Sequence, residues 1–218
     1  MHRPAPRRSR RVATLTALTA LIALTACSGG GAAASPTVVA VAAQPCTSPN
    51  HALGFGVVVA DDLVATAAHT VEGPLRDLRV DGRPATLVTA DARTDLALLA
   101  VPDVDTAPAE LSDGAPSNAT LLTPGAEQPV ELVSTGPLVV HDTTAGVRHE
   151  RLVHRISPAV EQGTSGAPLV DDRNRVLGIV VLSEQADDVA YAVTAAELAA
   201  LVEQRPTRSL PVPNECSD

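Results

Sequence analysis

Between Ala52 and Val193 the sequence is a succession of about twelve short runs rich in Val and Leu, cut apart by Gly, Pro, Asp and Asn. The runs are Gly54–Ala60, Leu63–Ala67, Leu78–Val80, Ala85–Thr89, Leu96–Val101, Thr120–Leu122, Val130–Val133, Leu138–His141, Val147–Ile156, Pro168–Val170, Val176–Leu182 and Val189–Val193. Turn signals such as Asp81-Gly82, Pro124-Gly125 and Asp172-Arg173-Asn174 separate them. Runs this short, with no helical periodicity between them, predict an all-β chain of antiparallel barrels or sandwiches. Only Thr194–Gln204 (TAAELAALVEQ) reads as a helix, with Thr194 as N-cap, Glu197 completing a capping box, and Leu198, Leu201 and Val202 as its apolar face. Aromatic residues make up 1% of the chain, so the core must be built from Val, Leu, Ala and Ile. Base-stacking platforms and haem pockets are excluded on the same ground.

The first 45 residues follow different rules. Five Arg lie in the first eleven residues, with no acid among them. Val12–Ala26 is then apolar and uncharged, shorter than the ~20 residues a permanent membrane helix needs. It fits the apolar region of an export signal. Leu24-Thr25-Ala26-Cys27 resembles a bacterial lipobox, in which the leader is cut before the Cys and the thiol is lipidated. The expectation is a signal peptide over residues 1–26, with lipid on Cys27 and anchoring to the outer face of a bacterial cell membrane. Ser9-Arg10-Arg11 hints at twin-arginine export, although Val12-Ala13-Thr14 lacks the bulky residues of that signal. Residues 27–45 read as a flexible tether, and 46–218 as the folded domain. Without the leader, 192 residues carry 11 Arg, no Lys and 25 Asp or Glu, a formal charge of −14. That argues against a nucleic-acid partner, because phosphate contacts need clustered cations. In an oxidising compartment Cys46 and Cys216 are expected to form one disulfide, the alternative being two free thiols.

Three segments carry chemistry. Ser165 lies in Gly163-Thr164-Ser165-Gly166-Ala167-Pro168, where glycines on both sides allow a sharp turn that exposes the hydroxyl and gathers N–H groups. His69 ends the apolar stretch Leu63-Val64-Ala65-Thr66-Ala67-Ala68, where a neutral imidazole would serve as general base and then acid. Asp95 opens the run Leu96-Ala97-Leu98-Leu99, which draws its carboxylate inward toward a partner such as an imidazole N–H. Asp91 and Asp103 compete for that role, but neither leads directly into such a strand. The other histidines, His2, His51, His141, His149 and His154, show no convincing ligand spacing, so neither a metal nor a cofactor is expected.

The segments GFGVVVADDLVATAAHTVEG, DARTDLALLAV, EQGTSGAPLVDDRNRVLGIVV and AYAVTAAELAALV, in that order, resemble the trypsin/chymotrypsin-fold serine peptidases, and within them the HtrA/Deg-type bacterial branch. The resemblance covers roughly Gly54 to Val202. It implies two packed six-stranded antiparallel β-barrels, the first over about 50–135 and the second over about 136–193, followed by a helix at 194–204. It places His69 and Asp95 on the first barrel and Ser165 on the second, with the backbone N–H groups of Gly163 and Ser165 as oxyanion hole. Its primary pocket would be walled by Ala159, Val180, Leu182 and Ser183. With no acid at Ala159, small or medium apolar residues are the expected preference, unless Glu161 swings in to favour basic ones. There are departures. Ala167 stands where the family usually has Gly, which raises the alternative of an inactive domain that binds a peptide or partner. Thr164 stands where digestive enzymes pair an Asp with a new N-terminus, so activation by that insertion is not expected. Too few residues follow the helix for a PDZ domain. The expected function is thus that of an exported, lipid-anchored serine endopeptidase acting on polypeptides.

Overall fold

A computed structural model describes residues 34–142, 147–204 and 216. The signal peptide and Cys27 expected at the N-terminus lie outside the described residues. Small apolar residues at every second position open the fold. In β1 (Val38–Pro45) the residues Val39, Val41 and Ala43 are buried while their neighbours are partly or fully exposed. β1 pairs with β2 (Ala52–Ala60) on one side and β4 (Leu75–Val80) on the other. Its residues had been read as the end of a tether. An Ala/Val-rich stretch carries too little contrast in hydrophobicity to display its period of two, yet that period is what seats it in the sheet.

The N-terminal sheet is completed by β3 (Leu63–Ala67), the two-residue β5 (Arg83–Pro84), β6 (Thr86–Asp91) and β7 (Leu96–Ala100). Its order is β5-β4-β1-β2-β3-β7-β6, seven strands where six were expected. Every residue of β3 and four of five in β7 are buried, so these two strands form the floor on which the site is built.

The second sheet is a closed six-stranded barrel, β10-β13-β12-β11-β8-β9, made of β8 (Asn118–Thr123), β9 (Ala126–Asp142), β10 (Val147–Ser157), β11 (Pro168–Val170), β12 (Val176–Glu184) and β13 (Val189–Thr194). The boundary between the halves therefore falls before Asn118, not near residue 135. β8 pairs with β9 and β11, and these ladders commit it to the second barrel. The runs Val130–Val133 and Leu138–His141, expected as two strands, are one 17-residue strand. Its ladder with β10 extends from Asp142↔Val147 to Glu131↔Ser157 and absorbs a register shift between Arg155 and Ile156. Side chains of both halves meet in one core, including Val57, Leu96 and Leu98 from the first and Val153, Ile179 and Val193 from the second.

Helix α1 (Ala195–Gln204) closes the chain against this core through Leu198 and Leu201. The expected capping box does not form. The Thr194 hydroxyl is buried without a partner among the described residues, and Glu197 instead takes both arms of Arg93, at 3.1 and 2.8 Å. Arg93 holds the Glu197 carboxyl below the usual range despite the opposing effect of burial. The bidentate pair ties the helix to the loop before β7 in place of a local cap.

Cys46 and Cys216 are bonded, with Cα atoms 5.5 Å apart across 170 residues of sequence. Closing so long a loop restricts the unfolded chain, so Cys46→Ser should lower unfolding free energy by up to about 5 kcal/mol in the chain-entropy account. Chemical denaturation of the two proteins measures it. Among the described residues no helix is long and apolar enough to cross a membrane.

Candidate active site

Three residues from three loops converge between the sheets. β3 ends in a single 3₁₀ turn, Ala68–Thr70, which carries His69 out of the apolar floor. Asp95 precedes β7, the strand beside β3, and therefore arrives next to that turn. Its backbone is left-handed, φ 61°, a conformation that Asp tolerates better than most residues. The loop is pinned by backbone bonds from Asp95 N–H to Asp91 O (2.8 Å) and from Ala68 N–H to Asp95 O (2.9 Å). Asp95 Oδ1 accepts the His69 amide at 2.9 Å, and Oδ2 lies 2.8 Å from His69 Nδ1. The second imidazole nitrogen, Nε2, is 2.9 Å from Ser165 Oγ. With Nδ1–H donating to the carboxylate, Nε2 is the acceptor and the Ser165 hydroxyl is the donor.

Ser165 sits in a loop locked onto the first sheet. Phe55 N–H donates to Ser165 O at 2.7 Å, Gly166 N–H to Val180 O at 2.8 Å, and Ala167 N–H to Thr164 O at 2.9 Å. Gly163 and Gly166 both take positive φ, 91° and 86°. Within this loop the Thr164 amide and hydroxyl turn back to Glu161 O, while the amides of Gly163 and Ser165 donate to no backbone acceptor among the described residues. Two uncommitted N–H groups beside a half-buried hydroxyl are what a developing oxyanion requires.

Ala167 is fully buried among Leu169, Leu177 and Val180, and its carbonyl accepts Val180 N–H at 3.0 Å. Its methyl thus fills core space in the second barrel. Of the expected pocket residues, Val180, Leu182 and Ser183 line a cleft of about 220 Å³ together with His69, Glu161 and Ser165. Ala159 does not line it. Its amide donates to Asp188 Oδ1 at 3.0 Å, while Ser183 Oγ and Gln185 both donate to the neighbouring Val160 O. Asp188 escaped the sequence reading because it lies 23 positions beyond Ser165 in a turn with no distinguishing pattern. A second, larger cavity of about 430 Å³ lies against His69 and Asp95, between Leu87, Ala92, Val140 and Arg151.

Arg151 is the other residue the sequence did not single out. It is buried, and Nη1 lies 3.4 Å from Asp95 Oδ2. In Val147–Ile156 it looks like one of several outward charges on an alternating strand. The two rival acids are elsewhere: Asp91 accepts from Arg93 N–H and Thr94 Oγ1, and Asp103 offers its carbonyl to Arg83. His154 is a satisfied core histidine, between the Thr135 hydroxyl and Leu177 O, and burial pushes its proton affinity down. No cluster able to hold a metal occurs among the described residues.

The Asp95 hydrogen bond raises the His69 pKa above the ordinary 6.5, partly opposed by burial and by the nearby Arg151 charge. A base with a raised pKa becomes neutral only at higher pH. Reaction at Ser165 should therefore increase with pH through a midpoint above 6.5, and the labelling rate of an active-site serine probe against pH measures this.

The family model for a trypsin-like peptidase domain matches residues 54–179. The serine protease Rv3671c of Mycobacterium tuberculosis is 30% identical over 184 residues, which cover 77% of this chain and 46% of that protein. The chain thus spans about half the length of the curated relative it matches. Among solved structures, the active form of the Rv3671c protease from M. tuberculosis superposes with a TM-score of 0.74 at 28% identity, covering 84% of this chain and 86% of that one. The HtrA-type protease AlgW, solved with a tripeptide, shares the fold with a TM-score of 0.60 at 21% identity, over 78% of this chain and 61% of its own. With its two β-sheets, its His, Asp and Ser in the matched segments, and a family match over more than half its length, the chain belongs to the trypsin-like peptidase domain family.

Proposed function

We propose that the chain is an exported serine endopeptidase, held to the outer face of the cell membrane by lipid on Cys27, that hydrolyses peptide bonds through an acyl-enzyme on Ser165. The observation that carries the chemistry is the unbroken line Ser165 Oγ, His69, Asp95, with contacts of 2.9 and 2.8 Å, next to two uncommitted amides. Ser165 Oγ attacks the scissile carbonyl as its proton passes to His69 Nε2. Asp95 holds the imidazole tautomer and stabilises the imidazolium, and the Gly163 and Ser165 amides receive the oxyanion. His69 then protonates the leaving amine. Water, deprotonated by His69, releases the acyl group. No cofactor takes part in any step.

The cleft beside Ser165 is small, about 220 Å³, and Val180, Leu182 and Ser183 line it along with Glu161, which supports a preference for small or medium apolar side chains at the cleaved residue. One methylene changes such a preference by only ~1–3 kcal/mol, so selectivity should be loose. Profiling the protein and its Ser165→Ala variant against a mixed peptide library tests both statements. Cleavage after Val, Ala or Leu, lost in the variant, is the expected result. Dominant cleavage after Arg or Lys would contradict the pocket assignment and point to Glu161, which lines the same cleft. Anchoring is tested by Cys27→Ser, which should move the protein from membranes to soluble fractions.

A further inference from the structure

Acyl transfer as such does not call for Arg151. Its guanidinium reaches from β10 in the second barrel to a carboxylate on the first sheet, and the residue is 7% exposed. Nη1 meets Asp95 Oδ2, the same oxygen that faces His69 Nδ1. Burying a guanidinium is costly unless its donors are matched, and here Nε is buried with no partner among the described residues. An apolar side chain of similar size would give the barrel a better-satisfied interior. What Arg151 supplies that such a residue does not is a positive charge paired with Asp95. Oδ1 is held by the His69 amide and Oδ2 is shared between His69 Nδ1 and the Arg151 charge, so the guanidinium adds a hold from the second barrel to the one that His69 provides.

We propose that Arg151 is a positioning residue of the triad, fixing the Asp95 carboxylate from the opposite barrel and offsetting part of its charge, so that His69 remains an available base near neutral pH. This rests on the reading of Ser165, His69 and Asp95 as an acyl-transfer triad. Among the described residues the charged or titratable groups around His69 are Asp95, Glu72, His149 and Arg151, with Glu161 in the cleft beside Ser165. Glu72, in the loop before β4, strengthens the hold of His69 on a proton, as Asp95 does; Arg151 acts in the opposite sense. His149, two positions earlier on β10, lines the same cavity. Arg93 is turned away to Glu197 and to Glu150 O. Arg151 is thus the cation that moderates the pull of two carboxylates on His69. Removing it strengthens that pull, so the imidazole stays protonated to higher pH.

The test compares the parent, Arg151→Met and Arg151→Lys by two readouts: NMR titration of the His69 ring, which needs no activity, and the pH profile of fluorophosphonate labelling. In Arg151→Met the His69 midpoint should move up, the labelling profile should shift the same way, and the rate at pH 7 should fall on the order of tenfold. Arg151→Lys should recover most of the loss. A variant with a lower melting temperature but an unmoved His69 midpoint overturns the proposal, since a purely structural arginine would behave so. A parent that does not label, while the His69 midpoint still shifts in Arg151→Met, overturns the peptidase reading instead and leaves the electrostatic link standing. If Arg151→Met does not fold, Arg151→Gln carries the same measurement. Failure of both to fold, together with Arg151→Lys, assigns the residue to stability alone and overturns the proposal.

Discussion

Asp95→Asn is expected to lower kcat by roughly four orders of magnitude while leaving the fold in place, the size of loss characteristic of a triad whose imidazole is held in the wrong tautomer. The backbone should accept the change, because Asn is at ease at the φ of 61° that Asp95 adopts. The side chain should not. An amide NH₂ turned toward His69 Nδ1 donates where the carboxylate accepted, so the proton moves to Nε2 and the imidazole no longer takes one from Ser165. The substitution also strips Arg151 of its counter-ion. Leaving a buried cation unpaired costs about 3–5 kcal/mol, so a lower unfolding midpoint should accompany the kinetic loss. Single-turnover kinetics at saturating substrate separate the two, since a stability effect is removed by normalising to folded protein and a tautomer effect is not.

Gly166→Ala should be the most damaging single-atom change in the chain. A Cβ placed there would collide with the Phe55 carbonyl and come within 2.7 Å of Thr66 Oγ1, and the backbone is left-handed at φ 86°. The obstacle does not yield easily. Phe55 is fixed by its N–H bond to Ser165 O at 2.7 Å, and the Thr66 hydroxyl donates to Phe55 O at 2.6 Å. Backbone strain and overpacking together should cost more than about 4 kcal/mol, enough to deplete the folded state. Gly163→Ala offers the contrast. Its φ of 91° is equally unfavourable, but nothing lies within 4 Å of the added methyl. A penalty of about 1–2 kcal/mol and a folded protein are expected. Thermal unfolding of the two variants side by side measures the difference.

What the sequence made legible follows the strength of local signals. Leu63–Ala67 and Pro168–Val170 were read to the residue, because strongly apolar runs bounded by turn residues leave little choice. His69, Asp95 and Ser165 stood out because each closes or opens such a run, and the structure brings the three together. β1 stayed hidden because Ala and Val alternate with almost no polar contrast, although its inward residues are as buried as those of β3. Arg151 and Asp188 were invisible for a different reason. Their roles arise from contacts across the sheet interface or between two turns, with Asp95 56 positions away from Arg151 and Ala159 29 away from Asp188. A local pattern carries no information about such partners. The expected capping box failed for the same reason, since Glu197 found Arg93 104 positions away.

The most direct measurement of the central claim is mass spectrometry of the protein after reaction with a fluorophosphonate, followed by peptide mapping. The account predicts a single adduct on Ser165, absent from Ser165→Ala and strongly slowed in His69→Ala, with all three proteins folded. An adduct on another serine, or none on a folded parent at a pH above the His69 midpoint, would contradict it.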